Sequence, residues 1–123
     1  MIDQYGGAAR FFSDFYINSP FPLAIIRKQK NGNWTNANYY DDKALFEMVE
    51  GYMLESLQKH IDLGLDCSEV FVWSKKNADF INKLNKKGKF FDRITVLEHP
   101  RYIQQYKSKE KQLYIDKYLT AFG

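Results

Sequence analysis

Residues 69–97, EVFVWSKKNADFINKLNKKGKFFDRITVL, decide the fold. Glu69–Trp73 is a short apolar run of valine and aromatic residues, which reads as a strand. It does not alternate with polar residues, so burial on both faces is expected, as in a parallel sheet. Ser74 to Asn77 then turn the chain into a helix with Phe80, Ile81 and Leu84 on its apolar side, and Gly88 breaks it. Arg93–Leu97 is a second, β-branched strand. Strand, helix, strand in this order is a βαβ unit, with parallel strands and a right-handed crossover.

The flanking segments extend the pattern. Phe11, Phe12, Phe15 and Tyr16 recur at helical spacing after Gly6-Gly7. PFPLAIIRK (20–28) reads as a strand with its prolines at the entry, where a missing N–H is tolerated. KQKNGNWTNANYY (28–40) reads as a polar loop with an Asn31-Gly32 turn, and ordered loops of that length tend to be functional. Asp41 or Asp42 is placed to cap a helix whose apolar face is Leu45, Val49, Tyr52, Met53, Leu57, His60 and Ile61, with Gly64 as terminator. After the last strand, LEHPRYIQQY (97–106) reads as a loop. Ser108 is placed to cap a final helix buried through Ile115, Tyr118, Leu119 and Phe122. The expected architecture is α/β: one domain over 1–123, three layers α/β/α, around a short, mostly parallel sheet of about three strands. Ligands of such sheets bind at the carboxyl ends of the strands. Three segments leave that edge: the Asn31 loop, WSKKN and LEHPRYIQQY.

A chain of 123 residues bounds the answer to one core, and 45% hydrophobic with 17% aromatic residues is ample to fill it. No apolar run approaches the roughly 20 residues that span a bilayer, so no membrane partner is expected, and MIDQYGGAARFF lacks the order of a secretion signal. Cys67 is the only cysteine. That excludes an internal disulfide and leaves a zinc site without ligands, so no metal or cofactor is expected and a reducing cytoplasm is the simplest location. The net charge of +3 is unevenly spread. Residues 41–69 carry −6, whereas 70–100 carry +4 and 101–123 carry +3. A basic second half suits a polyanion, although a solvated lysine surface has the same composition.

Two stretches offer chemistry. Ser74-Lys75-Lys76-Asn77 lies at a strand-to-helix turn, where free N–H groups and the helix dipole favour an anion. It lacks the glycines and the Lys-Ser/Thr pair of a Walker loop. A phosphate site and an ordinary capped turn both fit these four residues. His99 has no partners for a metal site, since His60 falls on a core-facing helix, and no Ser-His-Asp pattern accompanies it. As a hydrogen-bond donor it needs only a rigid mount. Pro100 supplies one by fixing its own φ and restricting His99 to extended backbone. A donor aimed at developing negative charge is electrostatic catalysis; a histidine bonded to a nearby carbonyl is the structural alternative.

Taken together, VFVWSKKNADFINKL…ITVLEHPR resembles the C-terminal part of the uracil-DNA glycosylase superfamily, in which a strand ends in a Leu-Trp-Gly-like turn and a later strand ends in His-Pro. YINSPFPLAII is similar to the Asn-x-Cys-Pro-Leu strand of the single-strand-selective monofunctional branch, and Gly32-Asn33 to that branch's Gly-Arg-Asn loop. Asn38 to Asp41, Lys76-Asn77, His99 to Arg101 and Gln105 to Lys107 resemble a bacterial subgroup. The similarity runs over about residues 5 to 120, and the order and spacing of the motifs carry it.

The resemblance implies excision or recognition of a damaged, uracil-type base flipped from DNA. It implies His99 as donor to the leaving base, and a base pocket at Asn18, Ser19 and Phe21. It also implies DNA contacts from Lys75, Lys76, Asn77, Arg101, Tyr102 and Gln104, with Arg101 to Gln105 pressing on the duplex. Two departures follow. The asparagine that reads the base edge in that branch aligns with Ser19, with Asn18 one residue earlier. The superfamily's Gly-x-Asn/Asp-Pro-Gly motif, which positions the attacking water, has no counterpart. Asp3 and Asp14 read as helix-surface acids. The chain therefore reads as such a domain with its N-terminal portion missing and its activity open. The expected partner is DNA, single- or double-stranded, with self-association into a homodimer through an exposed strand edge. A non-catalytic nucleic-acid-binding or self-associating α/β domain is the alternative.

Overall fold

The structure, a computed structural model, describes residues 1–21, 23 and 25–123. The elements run α1 (Ile2–Tyr5), α2 (Ala8–Asp14), β1 (Ile25–Lys28), β2 (Trp34–Ala37), α3 (Lys43–Asp62), β3 (Glu69–Trp73), α4 (Lys75–Gly88), β4 (Arg93–Leu97), α5 (Pro100–Tyr106), a 3-10 turn (Ser108–Glu110) and α6 (Lys111–Phe122).

The βαβ unit forms as its sequence dictates. β3 and β4 pair in parallel, from Glu69 opposite Arg93 to Trp73 opposite Leu97. The Ser74 N–H donates to the Leu97 carbonyl at 2.8 Å, carrying the pairing one residue further. The Ser74 hydroxyl accepts the Asn77 N–H and so caps α4. Side chains alternate across β3. Val70 and Val72 face a core of Phe46, Met53, Ala78, Ile81 and Leu84 from α3 and α4. Phe71 and Trp73 face a second core of Leu97, Ile103 and Tyr118, supplied by β4, α5 and α6. Helices thus cover both sides of the parallel pair, which is the α/β/α layering expected.

Three features depart from the sequence reading. The stretch read as a polar loop contains β2, which pairs antiparallel with β1 from Ile25–Ala37 to Lys28–Trp34. The hairpin closes through Gln29 N–H to the Asn33 carbonyl at 2.7 Å, with Gly32 at φ +86°. The described residues therefore form two two-stranded sheets, not one sheet of three. Of PFPLAIIRK, Pro22 lies outside the described residues, and with it half of the expectation about the prolines. β3 is also less covered than predicted: among its residues only Val72 is buried, because its second edge has no ladder partner among the described residues. Finally, the segment after His99 is a helix, α5, with His99 as its N-cap and Pro100 in its first turn. Ser108 opens a 3-10 turn and makes no cap bond.

In α3 the Asp42 carboxylate accepts the Leu45 N–H at 2.7 Å, as a cap should. The buried stripe sits slightly rotated from the expected one. Phe46 is buried against Phe80, with ring centroids 4.7 Å apart, whereas Tyr52 is 44% exposed and meets Phe21 edge-on. At the N-terminus α2 buries Phe11, and Phe15 follows it in extended backbone. Phe122 of α6 holds that segment, lying 4.7 Å from Phe15 and 5.0 Å from Phe71. Among the described residues no helix is long and apolar enough to cross a membrane.

Candidate nucleic-acid cleft

The hairpin, the segment around Ser19–Phe21, the start of α4 and one side of α5 enclose a cleft of about 720 Å³. It lies at the carboxyl ends of β3 and β4, where Ser74 follows Trp73 and His99 follows Leu97 after Glu98.

His99 sits on a stiff mount. Its backbone is extended (φ −66°, ψ 136°), as a residue before proline must be. Its Nδ1 accepts the Arg101 N–H at 3.0 Å. An accepting Nδ1 carries no proton, so the neutral ring carries its proton on Nε2, which is then a donor. The Trp73 ring meets the imidazole edge-on, centroids 6.0 Å apart. Behind it, the Tyr118 hydroxyl donates to the Glu98 carbonyl, and Lys117 Nζ meets the Glu98 carboxylate at 2.6 Å. Burial opposes ionisation of Glu98, yet the Lys117 ammonium holds its carboxyl below the usual range. Burial likewise pushes the Tyr118 hydroxyl up to about 12. The end of β4 is therefore tied to α6 on the side away from the cleft.

The remaining predicted site residues divide. Ser19, Phe21, Asn77, Arg101 and Tyr102 line the cleft together with His99. The Ser19 hydroxyl already donates to the Phe21 carbonyl at 3.2 Å. Asn77 is engaged as a brace: its Nδ2 donates to the Trp73 carbonyl at 2.9 Å, and its Oδ1 accepts from the Tyr39 hydroxyl at 2.8 Å. Its amide is thus a wall fixture and not a free phosphate ligand. Burial drives the Tyr39 hydroxyl to a raised pKa. Lys75 and Lys76 are exposed at the first turn of α4, just outside the lining, with Lys76 Nζ 5.1 Å from the centre of the Tyr40 ring. Among the described residues neither lysine, nor Arg101, is held in an ion pair. Asn18 is exposed and does not line the cleft.

Gln104 is also elsewhere. On α5, Arg101, Tyr102, Gln105 and Tyr106 face the cleft, while Gln104 lines a second, more apolar cavity of about 580 Å³ with Trp73, Ile103 and Tyr114. A helix in place of a loop explains this: residues four apart share a face, and Gln104 falls on the other side. Of the two acids set aside, Asp14 accepts from the Tyr5 hydroxyl at 2.5 Å and is not in the cleft.

Sequence reasoning overlooked Asn36 and quoted Asn38, Tyr40 and Tyr106 only as parts of motifs, without a place in the site; all four line the cleft. The signal that could have found most of them was NANYY, polar and aromatic residues close together in an unusually long connection.

The architecture and the placement of the cleft define an α/β fold of the uracil-DNA-glycosylase type. Within it, the chain is similar to wild-type SMUG2 of Pedobacter heparinus, known from a crystal structure, at 46% sequence identity and a TM-score of 0.90. The match covers 98% of this chain and 52% of that one, so the chain spans about half the length of SMUG2. No protein-family model and no curated protein matches the chain.

Proposed function

We propose that the chain is a uracil-DNA-glycosylase-superfamily domain that recognises a damaged, uracil-type base in DNA, with His99 as donor to the departing base. The observation that carries this reading is the Nδ1 bond from Arg101, which leaves Nε2–H as the donor of a histidine that lines one cleft with Ser19 and Phe21. The likeness to SMUG2 supports it. A base leaving as an anion is stabilised by a donor whose position does not have to be reorganised. Around the mouth, Lys75, Lys76 and Arg101 meet phosphates, and Tyr102 meets the neighbouring bases. Excision also needs a placed water. These 123 residues contain no Gly-x-Asn/Asp-Pro-Gly sequence. We therefore propose that, by themselves, they bind the base and do not cut. The setting is cytoplasmic. The sheet edges without a ladder partner among the described residues are the surface through which two copies associate, which light scattering during gel filtration reads directly.

The test incubates the 123-residue protein with single- and double-stranded oligonucleotides carrying one uracil. Binding is read by fluorescence anisotropy and excision by alkali-sensitive breaks. Uracil-dependent binding that weakens in His99→Ala is the expected result. Excision by the wild type that disappears in His99→Ala keeps the site and removes the binding-only clause. No uracil dependence in either assay refutes the reading.

A further inference from the structure

We infer that Asn36 and Asn38 of the hairpin, and not Ser19, read the polar edge of the base. This rests on the base-recognition reading above and specifies the residues that give it selectivity. The polar edge of uracil presents a carbonyl acceptor next to an N–H donor. Matching it takes a group that offers a donor and an acceptor side by side, which a carboxamide does. Ser19, the residue aligned with the branch's edge-reading asparagine, has one hydroxyl proton, and that proton is directed to the Phe21 carbonyl. It retains only acceptor capacity toward the cleft. Asn77 has the right group, but both ends of its amide are engaged by Trp73 and Tyr39.

Asn36 and Asn38 line the same cleft, and within the described residues no hydrogen bond occupies either side-chain amide. Asn36 lies in β2 and Asn38 just beyond its end, so both stand on the hairpin wall of the cleft. The backbone beneath them is fixed. Asn36 pairs with Ile26 in the ladder, and the Asn38 N–H donates to the Asp41 carboxylate at 2.8 Å. The pair is thus a set of donors and acceptors on a rigid hairpin, on the wall of the cleft that also holds His99.

The test measures anisotropy binding of single-stranded oligonucleotides that differ at one position: uracil, cytosine or an abasic analogue, each on a fluorinated deoxyribose that resists hydrolysis. The wild type is expected to prefer uracil over the abasic site. The double variant Asn36→Ala/Asn38→Ala should lose roughly tenfold in uracil affinity with abasic binding unchanged, while Ser19→Ala keeps the preference. Asn36→Asp/Asn38→Asp keeps the shape but removes the donor that would meet the uracil carbonyl, so its preference for uracil should fall. Circular dichroism confirms that the variants fold. If the alanine pair retains the uracil preference, or Ser19→Ala abolishes it, the inference is wrong. A wild type that does not distinguish uracil from an abasic site overturns the underlying reading, and this inference with it, at the first arm of the experiment.

Discussion

Ser74 joins β3 to α4 with φ +80° and ψ +143°, a region that L-residues with a Cβ avoid and glycine enters freely. Such a conformation stores about 1–3 kcal/mol at a non-glycine residue. The same residue caps α4, its hydroxyl accepting the Asn77 N–H at 3.2 Å. The two effects pull substitutions in opposite directions. Ser74→Gly removes the strain, at a cost of a few tenths of a kcal/mol for the cap. A freer unfolded chain costs about 0.4–1 kcal/mol more. The balance is a gain of about 1 kcal/mol, or an increase of roughly 3–5 °C in Tm for a domain of this size. Ser74→Ala keeps the strain and loses the cap, so it should lose about 1 kcal/mol. Thermal melting followed by circular dichroism, with urea titration as a second measure, separates the three proteins. A glycine variant that melts at or below wild type refutes the strain argument, and an alanine variant equal to wild type refutes the cap.

Three further outcomes follow from the same geometry. Tyr39→Phe strips Asn77 Oδ1 of its donor in a part-buried setting and should destabilise by about 1–3 kcal/mol in urea titration; no loss would mean the brace is idle. Replacing Lys75, Lys76 or Arg101 with alanine should reduce the salt dependence of single-stranded DNA binding by roughly 0.7 in log–log slope for each phosphate that is no longer neutralised. An unchanged slope would remove that residue from the interface. Asp42, Asp66, Glu69 and Glu98 all have carboxyl groups held below their ordinary values: Asp42 by the Leu45 N–H, Asp66 by Ser68, Glu69 by Arg93 and Thr95, and Glu98 by Lys117 against the opposing effect of burial. Groups lowered in the folded state stabilise it fully above the unfolded carboxylate pKa of about 4 and cease to do so as pH falls through the folded values. Urea midpoints should be flat through neutral pH and drop on the acid side, and a midpoint that rises on acidification would contradict these assignments.

How much of this was legible in sequence depended on whether the signal was local. Asp42 at a cap, Gly64 ending α3 and the β-branched run of β4 are decided by a few neighbouring residues, and all three stand. β2 was not legible, because WTNA has no apolar alternation and becomes a strand only by pairing with β1. α5 was hidden by its cap: histidine is an unusual N-cap, and Pro100 suggested a turn although it also suits a first helical turn. Phe46 and Tyr52 were exchanged between core and rim, since a helix face read from spacing alone is uncertain by about one residue's rotation. His99, Ser19, Phe21, Asn77, Arg101 and Tyr102 were named from motif order, and all of them line the cleft. Asn36 was not named and Asn38 was given no site role, because their position depends on the unread hairpin.

The rings that meet Phe122 have a practical consequence. Tyr5, Phe11 and Phe15, which dock the first two helices, all touch the side chain one position before the final residue of this sequence. The first two helices and α6 are therefore anchored to one another through a single ring. Phe122→Ala should open the segment around Phe11 and Phe15 to proteases that leave the unsubstituted protein intact. Limited digestion, read by mass spectrometry, would see α2 and α6 come loose together.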